Sequence, residues 1–172
     1  MKEQTIYSYK LLYRFRWRLI GYLAQIVSLF ALLAGASYVL LIPYHQLIVS
    51  LAVIVLIPIL HFIVFRFYAY VTSSPLKPTP DTLVSPWWGA GTAYPISLSF
   101  FRGAETSVCI GSLLVPAGLF VWLPLSYGVA LAVGAVVLTL PRFLALLASI
   151  RQPKNARVKY EIRSIAFLLT DL

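Results

Sequence analysis

The chain has 172 residues, of which 60% are hydrophobic and 11% charged, whereas a soluble domain carries roughly 25% charged residues, so one buried core cannot hide its apolar side chains. The net charge of +9 would suggest nucleic acid in a soluble protein, but the positive residues flank long apolar runs, where lipid head groups are the expected partner and nucleic acid is not. One cysteine, Cys109, excludes an internal disulfide and a cysteine metal cluster, and its apolar setting reads as a buried, inert thiol.

Residues 7–18 read YSYKLLYRFRWR, interleaving aromatic and basic side chains. Tyr and Trp favour the head-group layer, and Lys and Arg reach lipid phosphates from it, so this segment is expected to be an amphipathic lead-in to the first helix. A span needs roughly 20 apolar residues to cross about 30 Å of hydrocarbon. The first such run is 19–42; it lacks a small-residue cleavage site and is long enough to stay in the membrane. Its Ala34-Gly35-Ala36-Ser37 stretch suits close helix packing. His45 follows in a short connection and is expected to face solvent.

The second span, 47–67, contains Pro58, which predicts a kink, and His61, an ionisable group within the bilayer region. His45 and His61 are 16 positions apart, roughly 24 Å along a helix, and so cannot share a metal. The segment 68–106 is rich in Pro, Gly, Ser and Thr. Pro75, Pro78 and Pro80 predict irregular backbone, Trp87 and Trp88 beside Gly89 and Gly91 a turn against the membrane surface, and residues 94–101 a short hairpin strand. Irregular backbone at a membrane must be covered or line a cavity. Trp87, Trp88, Tyr94 and Arg102 are therefore a candidate binding segment for a ligand or peptide, with simple interfacial anchoring equally open.

The third span is expected at 107–124 and the fourth at 127–150, followed by a tail, 151–172. Arg142 lies about eight residues before Ile150, roughly 12 Å along the helix, a depth comparable to that of His61. His61 and Arg142, with Glu105 as counter-ion, form the candidate intramembrane polar cluster; the alternative is an Arg142 that snorkels and a His61 that makes one buried hydrogen bond. No cofactor or metal is implied.

Charge tests this layout independently. Lys2, Lys10, Arg14, Arg16 and Arg18 precede the first span; Arg66, Lys77 and Arg102 lie in or beside the middle segment; Arg151, Lys154, Arg157, Lys159 and Arg163 follow the last span. The short connections 43–46 and 124–126 hold no Lys or Arg. Since cytoplasmic loops retain positive charge, both termini and the middle segment are expected on the cytoplasmic side of the cell's inner membrane. The expected fold is an all-α integral membrane protein, a single membrane domain of four transmembrane helices over 1–172, with a short β-hairpin in the middle segment.

The order of these parts resembles a family of short bacterial zincin-like membrane metalloproteases. The matching stretches are HFIVF at 61–65, GSLLVPAGLF around Pro116, PRFLALL at 141–147 and QPKNARV at 152–158. In that family the second span carries His-Glu-x-x-His and the fourth an Asp. Here only His61 matches: Phe62 stands at the position of the base Glu, Phe65 at that of the second His, and Arg142 at that of the acidic ligand. Zinc hydrolysis needs protein ligands and a base for the metal-bound water. The resemblance therefore implies a degenerate member without the catalytic metal, in which Arg142 supplies positive charge in its stead.

The leading functional expectation is a non-catalytic polytopic membrane protein, a pseudoprotease or accessory subunit engaging another membrane protein or its own copies among the lipids. A transporter or channel component acting as an oligomer is the alternative. An enzyme acting on peptide or lipid comes third, since no Ser/His/Asp set or carboxylate pair is legible.

Overall fold

The computed structural model describes residues 8–72, 85–87, 92 and 94–171. Trp88, Lys77 and the proline-rich part of the middle segment lie outside them.

Four helical stretches are long and apolar enough to cross a membrane. The first is α1, Leu19–Leu40. It ends where Leu41 takes a left-handed conformation, φ 52°, and the Ser37 hydroxyl donates to the Ile42 carbonyl at 2.7 Å. The second runs over Tyr44–Val71 and is built from α2, Tyr44–Ser50, a 3-10 segment, Leu51–Val55, and α3, Leu56–Val71. The tightened turn lies just ahead of Pro58, whose missing N–H frees the carbonyl four residues back. The third is α4, Leu98–Phe120, and the fourth α5, Leu125–Ile150.

α4 starts well before the expected 107. Arg102 and Glu105 made its first turns look unlike a span, but both are satisfied inside the fold. Ser97 caps α4 by accepting from the Phe100 N–H at 3.3 Å. The helix packs closely on α3 at Gly103, where a Cβ would collide with the Tyr68 hydroxyl. α5 is the central helix, with 56% of its most apolar window buried; α1 is peripheral, with 11%.

The expectation of an all-α fold is corrected by a four-stranded antiparallel sheet. Its strands are β1, Ser8–Arg16; β2, Ile96–Ser97; β3, Arg157–Glu161; and β4, Ser164–Asp171, in the order β1-β4-β3-β2. The expected lead-in is thus largely strand, because β4 supplies its backbone partners along Ser8↔Asp171 to Arg16↔Ser164. The tail forms the β3–β4 hairpin. The hairpin expected within the middle segment reduces to two residues of β2, which pair with β3.

Pairing sets which side chains face the bundle. Phe15, Ile165 and Tyr160 share one inward row, and Tyr13, Phe167 and Val158 the next. Arg14 and Arg16 of β1 and Arg157, Lys159 and Glu161 of β3 take the other face. The inward rows close one core with Trp17, Phe65, Phe101 and Trp87, so sheet and bundle are packed as one body. Among the described residues the Lys and Arg side chains lie towards the sheet end; the connections at the other end, 41–43 and 121–124, carry none.

Candidate functional site

The site grows from a break in α5. Pro141 has no N–H, so the Val137 carbonyl loses its helical donor. Gln25 of α1 fills the vacancy: its Nε2 donates to the Val137 carbonyl at 2.9 Å, while its Oε1 accepts from Trp17 Nε1 at 3.0 Å. A buried amide is thereby satisfied at both ends. Two side chains on the adjacent face of α5, Thr139 and Arg142, make the remaining contacts. Thr139 Oγ1 and His61 Nε2 are hydrogen-bonded at 3.2 Å. Arg142 turns to α4, where its Nη1 donates to both Glu105 oxygens at 3.0 and 3.1 Å.

The ion pair is wholly buried. Attraction offsets the desolvation of two charges only when the leftover lone pairs are also bonded. Tyr160 of β3 does this, donating its hydroxyl to Glu105 Oε1 at 2.5 Å. Its ring lies edge-on to Phe65, with centroids 6.1 Å apart, and tilted against Phe101 at 5.7 Å. Burial, then the Glu105 charge and hydrogen bond, push the Tyr160 phenol well above its ordinary pKa. The triad ties α4, α5 and the sheet together. Glu105 Oε1 thus accepts from both Arg142 and Tyr160, and Oε2 from Arg142.

Next to this staple lies a cavity of about 190 Å³. It is lined by Tyr22 and Gln25 of α1, Pro58 and His61 of α3, Leu138 and Pro141 of α5, and the Ser85–Pro86 turn. Two of the helix prolines, Pro58 and Pro141, therefore border the same space as the histidine ring.

Of the sequence-derived candidates, Glu105 and Arg142 are brought into direct contact. His61 meets the same face of α5 one turn away, through Thr139 and not through Arg142. The candidate binding segment is not one surface. Arg102 caps the end of α5, its guanidinium donating to the Ser149 carbonyl and to the Ser149 hydroxyl, the latter at 3.3 Å. Trp87 is buried in the core, 5.9 Å from the Phe15 ring. Tyr94 is exposed, and its carbonyl accepts from the Thr92 hydroxyl at 2.8 Å. Trp88 lies outside the described residues.

Sequence reasoning missed Tyr160, Thr139 and Gln25. Gln25 left a signal, a lone amide in an apolar helix. Tyr160 left none, because its role depends on a sheet the sequence does not announce. The residues at these positions do not make a zinc site of the kind zincin-like proteases use. His61 is bonded to Thr139, Phe62 and Phe65 offer only carbon, and a cation sits at Arg142. No cluster of His, Cys, Asp or Glu among the described residues could hold a metal ion. In comparisons with known proteins, no family model, no curated protein and no solved structure matches this chain.

Proposed function

We propose that this is a multi-pass protein of the cytoplasmic membrane without chemistry of its own, an accessory subunit that holds another membrane protein or a second copy against its bundle. The sheet and both chain ends face the cytoplasm. The reading is carried by α1, which has the least buried span and turns large apolar side chains outward: Val27, Phe30 and Tyr38 are all more than half exposed. Gly35 on the same helix has open space where a Cβ would stand, leaving room for another helix to approach. Inside the bundle Glu105 is bonded to Arg142 and Tyr160, Gln25 to Trp17 and the Val137 carbonyl, and His61 to Thr139.

The layout shared with zincin-like proteases makes the chain a pseudoprotease in this proposal, with the Arg142 guanidinium as the charge opposite Glu105. Zinc bound at one equivalent per purified chain would end that part of it. The partner is tested by a photocrosslinker placed at Val27 or Gly35 in native membranes. A single adduct of fixed mass is expected, either twice the chain or chain plus one other protein. Lipid adducts alone, with a monomer in mild detergent, would overturn the accessory role.

The cavity between Pro58 and Pro141 favours one other reading, a transporter component. It requires solute flux in reconstituted vesicles that is abolished by His61→Phe.

A further inference from the structure

We infer that a recess where β1 meets α1 is a site for the phosphate group of an anionic membrane lipid. The inference rests on the membrane reading above and adds a particular place and ligand to it. The recess is lined by Arg14, Arg16, Trp17, Arg18, Leu19, Tyr22, Arg163 and Ser164, and measures about 440 Å³, within the size range of small-ligand sites.

Its arginines come from distant parts of the chain. Arg14 and Arg16 project from one face of β1, and Arg18 stands at the head of α1. Arg163 comes from the β3–β4 turn, held there because its carbonyl accepts from the Trp17 N–H at 2.9 Å. One carboxylate offsets them: Glu161 accepts from Arg14 at 3.2 Å and also from the Ser164 hydroxyl. Among the described residues, Arg16, Arg18 and Arg163 have no acceptor of their own. Four guanidiniums repel one another, and among the described residues Glu161 is the one carboxylate paired with any of them, so the fold gathers more positive charge here than it balances.

Guanidinium forks match phosphate oxygens in shape as well as charge, which an ammonium does not. The lower rim explains why a lipid fits better than a free anion. Leu19 lines the recess, and it and its neighbour Ile20, on the first turn of α1, are 72% and 75% exposed. A charged upper tier over an apolar lower one matches a phosphate headgroup above its acyl chains. Exposed guanidiniums at the top of a membrane span also sit at the level where such headgroups lie.

The test uses the full chain in mild detergent, titrated with phosphatidylglycerol or phosphatidylcholine and followed by native mass spectrometry. The wild type should hold one phosphatidylglycerol at least about tenfold more tightly than phosphatidylcholine. Arg16→Gln combined with Arg163→Gln should weaken that binding about twenty-five-fold, from about fivefold per arginine, and Arg18→Gln alone about fivefold. The control, Arg151→Gln with Lys154→Gln, keeps the sheet-end charge count equal but spares the recess, and should stay within about twofold. Equal losses in pocket and control variants would mean diffuse surface charge and overturn the site. So would inorganic phosphate binding as tightly as the lipid, which would make this a soluble-anion site. Insertion is scored separately, by retention in vesicles after an alkaline wash. A wild-type chain that washes off overturns the membrane reading; one that stays in but shows no phosphatidylglycerol preference overturns the recess alone.

Discussion

Arg142 and Glu105 are each costly to bury and tolerable only together. Arg142→Met leaves an unpaired carboxylate and should destabilise the protein by about 3–5 kcal/mol. Arg142→Met with Glu105→Leu removes both charges and should be more stable than Arg142→Met alone, as thermal unfolding in detergent would show. Tyr160→Phe strips one donor from the buried carboxylate, at about 1–3 kcal/mol. Tyr160 also sets a pH dependence. Because its folded-state pKa is raised, its contribution is fully present below the unfolded value near 10 and is lost as pH rises from there toward the folded value. Melting temperature should therefore fall above about pH 10 in the wild type, and Tyr160→Phe should lack that component of the fall.

At the scale of elements, the repair of α5 by α1 makes a cycle that can be measured. Gln25→Leu orphans the Val137 carbonyl and the Trp17 indole N–H, and should cost about 1–3 kcal/mol. Pro141→Ala returns an N–H to that carbonyl, so the same Gln25→Leu change should cost less in its background; equal costs in both would show that Gln25 is not the proline's substitute. The four helices were legible because each needs only its own run of apolar residues. The sheet was not. β1 pairs with residues more than 140 positions away, and the bulge between Leu11 and Tyr13 puts Leu11 on the same face as Arg14, which erases the alternation a strand shows. Of the site, the charged members stood out in the sequence because charge in an apolar run is conspicuous. Tyr160 and Thr139 did not, since a tyrosine in a tail and a threonine in a span are both ordinary. The cap that Arg102 places on α5 was not legible, because Ser149, whose carbonyl and hydroxyl accept from it, comes 47 residues later.

For the whole molecule, the segregation of charge to the sheet end gives the orientation a direct test. In a Cys109→Ala background, Asn155→Cys should react with a membrane-impermeant thiol reagent only after cells are opened, and Tyr44→Cys in intact cells. The reverse pattern would invert the proposed topology while leaving the fold untouched. α1 is the least buried span, yet Gln25, Trp17 and β1 anchor its head to α5 and the sheet, and Leu33 packs its second half against Leu47, Val129 and Ala130.

That β4 lies between β1 and β3 has a consequence for synthesis. Residues 8–16 leave the ribosome before the first apolar helix, but the strand that satisfies them is made only after the last one. For most of translation β1 has an open edge and nothing to close it. The spans are made before β4, so sheet closure follows them, and the arginine recess, which needs Arg163 held against Trp17, is completed with that closure. A chain halted at Arg163 would carry every span yet lack its middle strand, and should be cleared by proteolysis as if unfolded.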